Sequence, residues 1–218
     1  MDMDSTYLAA VERGDMAVAS AMVRAAANKA GFRIGPVYHG TNHDFTEFVK
    51  GENRMAMRAE LGFWFSDDAE ETKRFGEKTM PVFLSVHKPK RTTERQLDFD
   101  AVSRPATLIK AELADNGFDA YRIAAVEDNP TLDQRSQAAQ WVVFSAEQIR
   151  SAEPVCRDDE GNIIPLSRRF LPGSDIRGAV THSLGGRSTV KATGEKPEIS
   201  GSFALTSPQL EGKALRVS

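Results

Sequence analysis

The chain has 218 residues, 40% of them hydrophobic, enough for one well-buried core with flanking segments and short for two full domains. A formal net charge of −3 argues against a broad basic face for duplex nucleic acid, and the richest apolar stretch, residues 16 to 30, is broken by Arg24 and Lys29, so no membrane span is expected. A lone cysteine, Cys156, excludes an internal disulfide, and the acidic start MDMDSTYLAA lacks the pattern of a secretory signal, which together point to a cytoplasmic protein.

Residues 4 to 31 read as two helices. Ser5 or Asp4 is placed to cap the first, and Gly14-Asp15 breaks the chain and caps the second. In the second, Ala19, Met22, Val23, Ala26 and Ala30 share one face, and Gly31 is placed as its C-terminal stop. This pair should pack on the region that follows.

From Pro36 the period becomes extended. PVYHGT, FTEFV, LGFWFS, MPVFLSVHK, LDFD, FDAYRIAAV and QWVVFS are short runs of aromatic and β-branched residues set off by turn formers, so each is expected to be a strand. Helices are expected over DDAEETKRFGE and PATLIKAELADNG, the latter closed by Gly117. Strands outnumber helices without regular alternation, which predicts an α+β fold with a mainly antiparallel sheet. The turn former run from Asp159 to Asn162 suits a terminal hairpin or loop. The domain limits that follow are a helical pair over 1–34, a core domain over 35–170, and a tail or linker over 171–218, where Gly, Ser, Thr and Pro dominate and too little apolar area is available to offset backbone entropy.

Three stretches carry chemistry. In HGTNH, His39 and His43 are four apart, but Gly40, Thr41 and Asn42 are poor helix formers and no third ligand follows, so metal is not expected. His39 is then a core histidine or a binding residue. In GFWFSDDAEETKRF, Trp64 and Phe75 are eleven apart across a strand-to-helix turn, either core residues or two walls of a slot for a flat ring. In QWVVFSAEQIRSA a polar Gln140 opens an apolar strand.

Together, in this order and spacing, the three stretches resemble the ADP-ribosyltransferases of the diphtheria-toxin and poly(ADP-ribose) polymerase branch, and more closely the domains found in polyvalent proteins of phages and mobile elements. The resemblance spans roughly residues 4 to 170, including YLAAVERGDMAVASAMV before YHGT and RDDEGNIIPLSRRF at the close. It implies a split antiparallel sheet behind an N-terminal helical pair, and NAD as co-substrate. By resemblance His39 binds a ribose hydroxyl, Gly40 pairs its backbone with the nicotinamide carboxamide with Thr41 beside it, Trp64 and Phe75 stack on the ring, and Thr72 meets the carboxamide. Glycine also suits position 40 because a Cβ would keep a ligand amide from the backbone. His39 and Gln140 are the expected catalytic pair. The partners implied are a macromolecular acceptor, a host protein, in the host bacterial cytoplasm, with delivery in a virion as one route.

Members of this family with strong transferase activity carry glutamate where this chain has Gln140. Breaking the nicotinamide–ribose bond develops positive charge on the ribose, which a carboxylate stabilises and an amide does not. Three outcomes are open: slow mono-ADP-ribosylation with Gln140, rescue by another acid such as Glu127, Asp128 or Asp133, or an NAD-binding module without turnover. A third class, a structural domain in a larger phage-delivered polypeptide, would not bind NAD. Arg54 and Arg58 are candidates for the pyrophosphate, or belong to a solvated loop. By resemblance Ala138, where arginine-modifying toxins carry a second acid, argues against arginine as the acceptor.

Overall fold

The computed structural model describes residues 2–50, 59–124 and 138–178. Helices α1 (Met3–Glu12) and α2 (Met16–Lys29) open the chain, followed by strands β1 (Ile34–Thr41) and β2 (Phe63–Ser66). A short helix α3 (Ala69–Thr72) runs into a 3-10 turn, Lys73–Phe75, and then β3 (Lys78–Leu84) and β4 (Pro89–Thr92). Helices α4 (Glu94–Ser103) and α5 (Ala106–Asp115) precede β5 (Ala120–Ile123), β6 (Gln140–Val143), β7 (Ile149–Ser151) and α6 (Leu166–Arg169).

The helical pair forms as the sequence predicts. Asp15 accepts the Val18 N–H at 3.1 Å, and Gly14, at φ +74°, makes the break that a side chain would resist. The cap of the first helix differs from expectation: α1 starts at Met3, and Asp4 spends its carboxylate on the Ser167 N–H at 2.9 Å, tying α1 to α6. Ala19, Val23, Ala26 and Ala27 of α2 bury with Tyr7, Phe32, Phe83 and Leu166 in one cluster. The alanines let α1 approach α2 closely, so that each larger apolar side chain gains about 1.5–3 kcal/mol of burial.

Among the described residues seven strands form one sheet, in the order β4-β5-β6-β2-β1-β3-β7. Of their pairings only β4 with β5 is parallel, because the connection between them crosses over through α4 and α5. One face buries Val37, Phe65, Val82, Trp141 and Val143, while the other packs Tyr121, Ile123 and Val142 against Leu97, Ile109 and Leu113 of α4 and α5. Central β6 is buried along its whole length. β1 pairs with β3 over most of its length but with β2 at the single register pair Tyr38↔Ser66, so the sheet splits there.

Two expected strands are absent. LDFD lies in α4, whose Thr93 hydroxyl accepts the Gln96 N–H at 3.2 Å and whose buried positions, Leu97 and Ala101, are four apart. FTEFV makes only the isolated bridge Glu47↔Asp175. β4 and β7 are short strands that the sequence did not mark. Packing also continues past residue 170: Ile176 is buried, and Arg150, itself 1% exposed, donates to the Leu171 and Gly173 carbonyls at 2.6 and 2.9 Å. The rest of the expected tail, 179–218, lies outside the described residues.

Candidate active site

A cavity of about 430 Å³ opens at the split between β1 and β2, within the range of small-molecule sites. Strand alternation decides much of its lining. Trp64 and Ser66 of β2 share a face with Gln140, which is paired across the ladder with Ser66. The α3 segment, with Glu71, Thr72, Arg74 and Phe75, closes one side, and Glu94 of α4 also reaches the cavity.

His39 fills the split. Where β1 leaves β2, the Trp64 carbonyl takes its hydrogen bond from the imidazole, with Nδ1 at 2.9 Å. A carbonyl only accepts, so Nδ1 carries the proton and Nε2 of the neutral ring is left as an acceptor. Phe48, Phe65 and Phe45 surround the ring with centroids at 5.0, 5.7 and 6.2 Å. Burial among them pushes the imidazole below the usual histidine range, and the bond to Trp64 offsets this only partly. His39 is therefore a neutral acceptor at pH 7, suited to a hydroxyl donor.

Gly40 is required for a reason the sequence did not show. A Cβ there would lie 2.0 Å from the Thr72 carbonyl oxygen and 3.1 Å from Phe75 Cβ. At Gly76 a Cβ would lie 2.2 Å from the Thr41 carbonyl carbon. These two contacts clamp the α3 segment onto β1. Gly40→Ala is expected to cost about 3 kcal/mol of stability by overpacking against backbone, read as a melting temperature lower by about 6–12 °C. An unchanged melt would show that the segment yields freely.

Thr72 is 3% exposed; its hydroxyl donates to the Ala69 carbonyl at 2.7 Å and contacts the Thr79 hydroxyl at 3.2 Å. With its proton spent, it meets a ligand only as an acceptor, which suits a carboxamide N–H. Trp64 is half-buried in the cavity wall. Phe75 is 64% exposed, with the Arg74 guanidinium 4.7 Å from its ring centroid. The two aromatics reach one cavity from different elements. Thr41 does not line it; its hydroxyl accepts the His43 N–H at 3.1 Å and shapes the turn after β1.

Gln140 is 8% exposed and lines the cavity. Its surroundings are braced by Asp67, which accepts from Trp141 Nε1 at 3.0 Å and from Arg122 at 2.9 Å, while Arg122 stacks on Trp141 at 4.5 Å. Glu71 Oε1 accepts the Ala138 N–H at 2.9 Å, holding the approach to β6. Tyr38, Ser66, Glu71, Arg74 and Glu94 join the site without having been singled out in the sequence; only the ladder and the α3 turn place them there. Arg54, Arg58, Glu127, Asp128 and Asp133 lie outside the described residues. Among the described residues no group of three or more His, Cys, Asp or Glu is placed to hold a metal ion, and no helix is long and apolar enough to cross a membrane.

Neither a curated protein nor a solved structure matches the chain. Residues 33–155, more than half of the chain, match the family described as ADP-ribosyltransferase in polyvalent proteins, and the match runs from the start of β1 past β7, across every strand that frames the cavity. The chain belongs to the ADP-ribosyltransferases of polyvalent proteins, a family that uses NAD as co-substrate.

Proposed function

We propose that the domain binds NAD in the cavity at the β1–β2 split, cleaves its nicotinamide–ribose bond and transfers ADP-ribose to a macromolecular acceptor, a host protein in the bacterial cytoplasm. The observation that carries this reading is the convergence on one cavity of a neutral histidine acceptor, a threonine acceptor, two aromatic side chains and Gln140. The nicotinamide ring would lie between Trp64 and Phe75, its carboxamide at Gly40 and Thr72, and a ribose hydroxyl would donate to His39 Nε2. Gln140 would accept from the 2′-hydroxyl and orient the sugar. One unit of transfer is the expected outcome, since elongation in this family also relies on the carboxylate that position 140 lacks.

A second reading is favoured by Gln140 itself: a module that holds NAD without turnover. Two measurements separate the readings. NAD at a hundred times its dissociation constant stabilises a binding protein by about 2.7 kcal/mol, which should raise the melting temperature by about 5–10 °C for a chain of this length. Nicotinamide release over hours then distinguishes the enzyme from the silent binder, and the absence of any thermal shift would remove both.

A further inference from the structure

Gln140 leaves the ribose of the proposed substrate without a negative charge from β6, yet the cavity contains carboxylates from other elements. Among the described residues two line it, Glu71 of α3 and Glu94 in the first turn of α4. Each stands in the first turn of its helix, so the helix N-terminus acts on both alike. Glu71 is in addition anchored to the segment that leads into β6: its Oε1 is 2.9 Å from the Ala138 backbone nitrogen, two residues before Gln140. Its side chain and that of Gln140 line the same cavity.

We propose that Glu71 supplies the negative charge that stabilises the ribosyl cation, while Gln140 orients the 2′-hydroxyl through a neutral hydrogen bond. This rests on the NAD-cleaving reading above. In the step concerned, the bond between ribose C1′ and the nicotinamide nitrogen breaks heterolytically. The electron pair stays on the nitrogen and neutralises the pyridinium, and positive charge passes to C1′ and the ribose ring oxygen. Water or the acceptor then bonds to C1′ and releases its proton to solvent, giving nicotinamide and the ADP-ribosyl product. A carboxylate held in the wall of a protein cavity acts without direct contact, because its charge there is screened less than in open solution.

The test uses wild type, Glu71→Gln, Gln140→Glu and the double variant, with nicotinamide release measured at saturating NAD and NAD binding measured by calorimetry. Glutamine at 71 keeps an oxygen for the Ala138 N–H, so the fold should be retained. Glu71→Gln is expected to lower kcat by about thirtyfold, the difference between a charged and a neutral interaction, with KM changed less than about threefold. In the Gln140→Glu background the same change should cost less than about threefold, because the charge is then supplied from β6. Equal losses in both backgrounds, or full activity in Glu71→Gln, would overturn the assignment. So would a wild type that binds NAD without releasing nicotinamide. If none of the four proteins binds or cleaves NAD, the reading of the cavity itself falls, and this assignment with it.

Discussion

Replacing Gln140 by glutamate is expected to raise nicotinamide release, by about tenfold in the wild-type background and by on the order of a hundredfold when Glu71 has been made neutral. A charge-assisted hydrogen bond is roughly twice as strong as a neutral one, so a carboxylate at the 2′-hydroxyl adds about 2–3 kcal/mol of stabilisation as the ribose becomes cationic. The smaller gain in wild type follows from Glu71, which shares the cavity and already provides part of that charge. Position 140 accommodates the change sterically, since glutamine and glutamate have nearly the same shape. Its register opposite Ser66 and the brace of Asp67 on Trp141 are unaffected. No gain in either background would mean that the ribose does not sit against β6, and the proposed pose would have to be abandoned.

His39→Ala is expected to abolish NAD binding, with the dissociation constant rising on the order of a hundredfold or more. That change would come from about 3 kcal/mol of lost interaction, in line with a buried acceptor removed and its partner left unpaired. The substitution also strips the Trp64 carbonyl of its donor and empties the space between Phe45, Phe48 and Phe65, so the fold weakens as well. His39→Asn separates the two effects: its amide nitrogen can stand near the Nδ1 position and serve Trp64, yet nothing replaces Nε2. Stability should then recover while affinity does not.

The same residue predicts a pH dependence. Burial holds the folded-state pKa of His39 below the ordinary value of about 6.5. The unfolded chain therefore takes up a proton that the folded chain refuses. The stability from the neutral, buried ring is fully present above pH about 6.5 and is lost as pH falls through the lowered folded-state value. NAD affinity should be flat through neutrality and decline in the same acid range, as Nε2 becomes a donor. An affinity that instead improves on acidification would contradict the neutral acceptor.

Much of the fold was legible because its signals are local. The α1–α2 break at Gly14-Asp15, the close of α5 at Gly117 and the apolar strands β1, β2, β5 and β6 all rest on residues whose conformational preferences act within a few positions. LDFD misled because alternation over four residues is also compatible with a helical face; the Thr93 cap and the burial of Leu97 with Ala101 settle it as helix. Phe45 and Phe48 look like strand residues in the sequence, but they form a T-shaped pair at 4.8 Å and close around His39.

By itself the sequence indicated the class of the fold and the helical pair, and the order of its three motifs carried the resemblance to the family; that resemblance named His39, Gly40, Thr41, Trp64, Thr72, Phe75 and Gln140 as candidates, of which all but Thr41 line the cavity. Only the tertiary structure decided what those residues can do. The proton position on His39 depends on a carbonyl 25 residues away, and the need for glycine at 40 on the backbone of Thr72. The presence of Glu71 in the cavity depends on a hydrogen bond to a residue 67 positions later. Such properties arise from atoms brought together by packing, and a carboxylate in the charged run DDAEETKRF carries no mark, before the chain folds, of which neighbour it will meet.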